Sequence, residues 1–550
     1  MHRLSWALLL SLTLAGPAAA ADGCPTADPS GEPWVGERAW SSLEAAGYRL
    51  GRIDVEVLDV YEDRAAWYAR AANYLHLDTH ERVVREHLVV ASGEAVDARR
   101  IHESERALRA LGIFREATLA PLTCHDGVVD VRATVKDAWT LIFSVKANQV
   151  GGQTSTGLRI EDRNFLGSGK EVFVESANDP TRSSIAYAYQ DPALFGSHWR
   201  LYAEHSDQSD GRTNQAELEL PFLSTRQRWG FEAAARDRQQ TLTFYQDGAE
   251  AWRADVADEL QRVTAWRLIA GDGVSGWRVG AGLRSEHRSY GAPVAIDPTL
   301  RAAPGLDGFR ADGITVAVSR FHDDYASYRN LKLVDRIEDY DLGFDATFAY
   351  TFEPGAFGDL GAEGQRVDLD LAWGGRAGAD GLVLATLESS GRKGELGWFD
   401  GYLSAEVSWY QRTAPHVTRL ARLAVDLRDD PAPEHEIPLG GEAGLLGYPA
   451  QVVVGDRAWR LHLEDRRLSE LVLFQTLRVG YSVVVEAGRA RRIDDGRWSP
   501  LLADVGVGLR LGNLRGAYGQ VLYIMVFKPL VDAPGSDGSL QFVVGDVISF

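Results

Sequence analysis

Cysteine is almost missing from this chain: Cys24 and Cys124 are the two present in 550 residues, which excludes a disulfide-stapled scaffold. Long apolar runs are missing too. After Ala15 no stretch offers about 18 apolar residues in a row, so no transmembrane helix is expected. Basic charge is in deficit, with 58 Lys and Arg against 78 Asp and Glu, and a net charge of -20 argues against nucleic acid as a partner. The signatures of chemistry are absent as well. Thirteen histidines are scattered without metal-ligand spacing, and there is no Gly-x-Ser-x-Gly elbow. Gly167-Ser168-Gly169-Lys170 lacks both the first glycine of a phosphate loop, where Asn164 stands, and its Ser/Thr, where Glu171 stands. Asp207, Asp210 and Gly211 lack the fuller ligand series of a calcium loop and read as a hairpin turn. No catalytic residue, cofactor or metal is expected.

What is present begins with an export signal. His2 and Arg3 precede an apolar run from Trp6 to Ala15 and the small-residue stretch Ala18 to Ala21, so residues 1–21 read as a signal peptide. Residues 22–47 read as a linker. In an oxidising compartment Cys24 and Cys124 are free to pair and tether the mature N-terminus, or to stand as two unrelated thiols. The sequence leaves both open.

Residues 48–138 read as a mixed α/β module. Ile53, Val55 and Val57 alternate with Asp54 and Glu56 as a half-buried strand. Asp78 and Glu81, spaced as a variant capping box, open a helix carrying Val83, Val84, His87 and Leu88. A second helix from about Asp97 places Ile101, Leu108 and Leu111 on one stripe, with Gly112 as its stop. Strands over Ala117–Leu122 and Val129–Val135 close a β-α-α-β-β order.

From Trp139 to the C-terminus the texture is period two. Leu342, Phe344, Ala346, Phe348, Tyr350 and Phe352 share one parity against Asp341, Gly343, Asp345, Thr347 and Thr351. The pattern repeats at Val367–Trp373, Leu403–Trp409 and Ala216–Phe222. One apolar and one charged face over so many strands predicts an antiparallel barrel with lipid outside and water within, rather than a sandwich. The 15 Trp, 19 Tyr and 19 Phe suffice for interfacial girdles. Short turns are expected at Asn164–Gly169, Gly271–Gly276 and Gly374–Gly381, and long connections at Arg288–Gly308, Phe352–Gln365, Glu388–Gly401 and Asp426–Val454. Alternation and turn signals give about twenty strands in residues 139–550.

Several motifs together resemble the BamA/TamA-like family of outer-membrane assembly factors. In the α/β module, the helix through Glu103-Ser104-Glu105-Arg106 leading into Leu111-Gly112-Ile113-Phe114 resembles a POTRA domain. Asp162-Arg163-Asn164-Phe165-Leu166-Gly167-Ser168-Gly169 and Asp191-Pro192-Ala193-Leu194-Phe195 resemble two of the family's turns. Leu439 to Tyr448 resembles the tip of its long sixth external loop, which folds back into the lumen, with Leu445, Leu446, Gly447 and Tyr448 at the tip. Leu446 stands where the family carries an arginine. Glu464 and Arg466 resemble the Glu-x-Arg element of the next strand, and Glu486 and Gly488 the Asp-x-Gly element after it. The resemblance implies that Glu486 would receive the loop arginine; lacking one, it is expected to turn to Arg466 or to water. The ending, with Gly545, Ile548 and Phe550, resembles the C-terminal signal read by the barrel assembly machinery, although Val543 replaces the usual polar residue.

The resemblance implies a barrel of about sixteen strands, fewer than the pattern gives. It further implies residence in the bacterial outer membrane with a periplasmic N-terminal domain, contact with outer-membrane lipid, and non-enzymatic assembly or translocation of unfolded polypeptide clients. The alternative is a diffusion channel or surface antigen that keeps the scaffold alone.

Overall fold

The computed structural model describes Cys24 and residues 33–545, apart from residues 151–152, 180–181, 248, 355–363, 395–396, 432–434, 520, 534–535 and 537. The signal segment 1–21 and the terminal Ile548 and Phe550 lie outside the described residues.

The N-terminal domain comprises α1 (Pro33–Ala45), β1 (Arg49–Leu58), α2 (Trp67–Leu75), α3 (Glu81–Glu86), α4 (Ala98–Ala110), β2 (Phe114–His125) and β3 (Val128–Asp137). β3 lies between a parallel β1 and an antiparallel β2. Its alternation decides its facing: Val129, Val131, Ala133 and Val135 are fully buried against α4, whose Ile101 and Leu108 are buried on the stripe the helical period gives. The Asp97 side chain caps α4 by accepting from the Arg100 amide, and Gly112 follows the helix at a φ of 71°. The start of α3 differs from expectation. Its N-cap is His80 and no side chain caps it, because Asp78 to His80 lie on the barrel, where the His80 amide donates to the Gly167 carbonyl at 2.9 Å.

The stretch 22–47 is more than a linker. It contains α1, whose Trp40 is fully buried and donates its indole N–H to the Leu119 carbonyl at 3.1 Å, with Leu43 packed beside it. Cys24 is disulfide-bonded to Cys124 at the end of β2, so the pairing left open by the sequence is made.

Among the described residues a closed ring of twenty-two strands follows, from Leu141–Val150 to Gln541–Gly545. Two of these, Val294–Ala295 and Ile437–Leu439, are short pieces within connections, which leaves twenty that build the wall. The pattern-based count of about twenty strands therefore agrees with the fold, and the smaller count of about sixteen does not. Each of these twenty strands has two antiparallel neighbours in the ring.

The faces are inverted relative to a soluble protein. Phe143, Leu283 and Val507 point outward and are about as exposed as surface residues, while Asp258, Glu286, Arg392 and Asp504 are buried inside. A wall with apolar groups outside and ion pairs inside suits hydrocarbon around it, where a closed sheet leaves no backbone group unpaired.

Near end denotes the rim that carries the N-terminal domain, and far end the other rim. Glu388–Gly401, expected as a long connection, is mostly strand: Gly381–Gly394 and Gly397–Ala414 run on past the apolar belt, with Arg392 turned inward onto Glu286 and Glu353 at 3.0 and 3.2 Å. At the near end residues 323–343 carry an unanticipated hairpin, Tyr325–Arg329 paired with Ile337–Asp341.

Candidate functional site

Two inserts enter the barrel from opposite ends and meet in its lumen. The far-end insert is the Asp426–Val454 connection. Its Ile437–Leu439 strand pairs with Val453–Gly455, and Gly440 and Gly444, at φ of 100° and 101°, bend the chain inward. The tip then seats by backbone rather than by side-chain charge. The Leu446 amide donates to Glu486 Oε2 at 2.8 Å and the Gly447 amide to Asp504 Oδ2 at 3.0 Å. A methyl on Gly447 would stand 2.5 Å from the Asp504 Cβ, so this close approach requires glycine. Tyr448 is fully buried, and its hydroxyl lies 2.8 Å from the Ala503 carbonyl and 2.9 Å from that of Val531. From the wall, Arg460 Nη1 donates to the Ala443 carbonyl at 2.6 Å while the same guanidinium holds Asp426. Gly488 faces Arg460 in register and leaves its side chain room.

Glu486 does not pair with Arg466. Its other oxygen lies 3.0 Å from His462 Nδ1, and His462 stands directly opposite it in the ladder. His462 Nε2 lies 3.4 Å from Glu464, which receives Arg466 at 2.7 Å and the Ser482 hydroxyl at 2.6 Å. Arg466 then donates to the Leu331 carbonyl at 2.8 Å. Register explains the outcome. Arg466 lies four residues nearer the N-terminal domain than His462 on the same strand face, too far along the strand to reach across to Glu486.

Leu331 belongs to the near-end insert, the 325–341 hairpin. Arg478 holds Asp335 at 2.7 Å and Arg510 donates to the Lys332 carbonyl at 3.2 Å. The hairpin tip meets the loop tip: Val334 and Leu446 share one apolar cluster with Val484, Tyr523, Met525 and Phe527. Val521 and Val543 complete the buried cluster, so Val543 of the closing strand faces apolar neighbours. At its base the hairpin is clamped to α4. Arg109 grips Asp339 through Nε and Nη2 at 2.6 and 3.1 Å, and Arg106 lies 4.0 Å over the Tyr325 ring. A cavity of about 510 Å³ remains between α4, the hairpin and the wall.

Leu446, Gly447, Tyr448, Glu464, Glu486 and Gly488, singled out in the sequence, lie together in the lumen beside His462, Asp504 and the hairpin, which were not singled out. His462 and Asp504 lie directly across from Glu486 on its two neighbouring strands, a juxtaposition that depends on register. The hairpin left only a faint signal, two short alternating stretches around Asn330 and Asp335, both of which adopt positive φ.

Among the described residues, the one grouping with metal-ligand character, His76, Asp78 and Asp137, lies outside the lumen. Asp137 is already satisfied by the Thr79 amide and hydroxyl at 2.9 and 2.6 Å and by His76 at 3.0 Å. Asn164 Nδ2 donates to the same Thr79 hydroxyl at 2.8 Å, so the group staples the domain to the first near-end turn.

Among the described residues, the last strand closes on the first through the pairs Phe542–Gln149, Val543–Asn148 and Val544–Ala147.

No protein-family model matches the chain, and no curated protein does. Solved structures are similar to it at low identity. BamA from Haemophilus ducreyi lacking POTRA domains 1–3 shares 12% identity with a TM-score of 0.38, over 90% of this chain and 84% of that one. CdiB from Acinetobacter baumannii shares 11% with a TM-score of 0.39, over 90% and 73%. CdiB from Escherichia coli shares 13% with a TM-score of 0.45, over 90% and 76%. The chain is a closed antiparallel β-barrel with a small N-terminal α/β domain, similar to BamA and CdiB.

Proposed function

We propose that this protein handles polypeptides at the bacterial outer membrane, inserting or translocating them without covalent chemistry, with a POTRA-like N-terminal domain on the periplasmic side. The observation that carries this reading is the closing ladder. The wall closes where the last strand pairs antiparallel with the first, and strand edges parted at that seam would be a template for another strand. The N-terminal domain offers a second edge over residues 55–58 of β1, which pairs with β3 alone; nearer its start the outer side is already covered by Arg85 at the Ile53 carbonyl and by residues 93–96 near Leu50. Strand addition at such an edge binds by main chain and tolerates many sequences. A diffusion channel is disfavoured by the lumen, where the loop tip and the hairpin meet and pack on the wall. Gly545, with Ile548 and Phe550 beyond it, would serve as the signal by which the assembly machinery accepts this barrel.

The test is site-specific photocrosslinking during export, from probes at Val544 and at Glu56. Adducts with nascent outer-membrane or secreted polypeptides are expected at both positions. Passage of small solutes with no polypeptide adduct at either position would favour the channel.

A further inference from the structure

The helix α2 presents two apolar faces, and the domain uses one of them. Ala69 is fully buried, and Ala66, Tyr68 and Ala72 pack with Val60, Tyr61 and Trp139. On the other face Trp67, Ala71, Tyr74 and Leu75 follow the i, i+4, i+7, i+8 spacing of a single stripe, with Leu77 just beyond. Tyr74 is 88% exposed, and Trp67, Leu75 and Leu77 are more than half exposed. Contiguous apolar groups of this size mark a site of contact.

The position of α2 indicates what covers that stripe. Tyr68 packs edge-on against Phe474, at the near-end turn between Val453–Leu473 and Leu477–Arg492, with ring centroids 6.2 Å apart. After the C-terminus of the helix, His76 lies 6.3 Å from Trp139, which leads into the first barrel strand. The helix therefore sits at the near rim, beside the turn after Val453–Leu473 and beside the residue that leads into the first barrel strand. The near-end turns repeat the theme independently. Leu166, Phe195 and Phe474 each occupy the left-handed region, at φ of 54°, 55° and 52°, and each is exposed, Phe195 to 96%. Bulky side chains are disfavoured at such angles, and in water their exposure would gain nothing. At a lipid boundary they become anchors.

We infer that α2 and these turns form an interfacial collar that lies in the headgroup region of the near leaflet, so that the N-terminal domain docks on phospholipid as well as on the barrel. Trp and Tyr suit that layer because each has an apolar body and a polar edge. The inference rests on the reading that the strands span a bilayer.

The chain's two cysteines are joined to each other, so one introduced cysteine can be spin-labelled selectively. Tyr74→Cys, Phe348→Cys on the outward wall and Arg52→Cys on the exposed domain surface are labelled in the full chain. Each folded protein is placed in phosphatidylethanolamine–phosphatidylglycerol vesicles, and collision rates with dioxygen and with a water-soluble nickel chelate are measured. Tyr74 is expected to shift with Phe348 toward dioxygen and away from nickel, while Arg52 shifts the opposite way. A Tyr74 label that follows Arg52 overturns the collar while leaving the barrel reading intact. One shielded from both agents indicates a protein partner and also overturns it. A Phe348 label open to nickel overturns the bilayer reading, and the collar with it.

Discussion

Leu446 stands where the loops this one resembles carry an arginine, and its surroundings show how the loop is held without one. The positive end of the contact comes from backbone: two successive amides, of Leu446 and Gly447, face two buried carboxylates, Glu486 and Asp504. The leucine side chain is freed to pack with Val334 and Phe527. Restoring arginine is therefore expected to harm this protein. Leu446→Arg would place a cation among apolar groups next to a carboxylate already engaged by His462 and by the loop amide. The loss is about 3–5 kcal/mol, the range for a buried charge without compensation. Leu446→Met should cost less than about 1.5 kcal/mol, as volume-conserving apolar exchanges do. Gly447→Ala, which forces the Asp504 side chain aside, should cost about 1–3 kcal/mol. Limited proteolysis of the 430–452 loop in the folded barrel would rank the variants. An Arg variant as resistant as the parent would mean that the seat accepts charge after all.

The lumenal hairpin is an element held by its two ends. Its tip is fixed by Arg466, Arg478 and Arg510 from the wall, and its base by Arg109 from α4. From Leu446 through Glu486, His462, Glu464 and Arg466 to Leu331, polar contacts link the far-end loop to the hairpin. Replacing residues 327–339 with a two-residue turn is expected to open the lumen and raise single-channel conductance in planar bilayers. Unchanged conductance would show that the charged wall closes the pore without the hairpin. Arg109→Ala is expected to be milder, at about 1.5–3 kcal/mol for a charged hydrogen-bonded pair. Asp339 would retain the Ser327 hydroxyl at 2.6 Å, and faster hydrogen exchange confined to residues 325–341 would be the mark of the loss.

At the scale of the whole molecule, the N-terminal domain is mounted on the barrel rather than strung from it. The Trp139 amide donates to the Arg515 carbonyl at 2.6 Å, Tyr61 meets Thr476 at 2.7 Å, and Arg226 reaches Asp97 at 2.9 Å. His87, after α3, titrates within this mounting. Burial lowers its pKa below the usual 6.5, opposed by the Val83 carbonyl and assisted by Arg200 and His198 of the facing barrel. Above about pH 6.5 both folded and unfolded forms are neutral there and the group has no effect. As pH falls through 6.5 the unfolded form takes the proton first, so stability is lost on acidification. The protection factors of the α3 amides, which remove the intrinsic base-catalysed rate of exchange, should therefore fall from pH 7.5 to pH 5.5, and His87→Gln should flatten that change. An identical pH response in the variant would assign the effect to other histidines.

Period-two alternation over residues 342–352 and its repeats needed no tertiary information to specify a strand with one wet and one apolar face. Repetition of that signal, with turn residues between, specified about twenty strands. The expected β-α-α-β-β order of the α/β module lacked α2, but its last helix was equally legible, because Asp97, Ile101, Leu108 and Gly112 write its start, its buried stripe and its stop. Local physics sufficed in each case. Three things were decided by the fold. Whether α1 was linker or core depended on Trp40 finding the Leu119 carbonyl 79 residues away. The partner of Glu486 depended on register, which sets His462 and Asp504 opposite it and Arg466 out of reach. The fate of residues 325–341 depended on the lumen, since a hairpin too short to join the wall becomes an insert only when a closed barrel surrounds it. Sequence determines which way a strand faces, because that follows from neighbours along the chain. Closure determines what each inward residue meets, because those partners arrive from strands far apart in sequence.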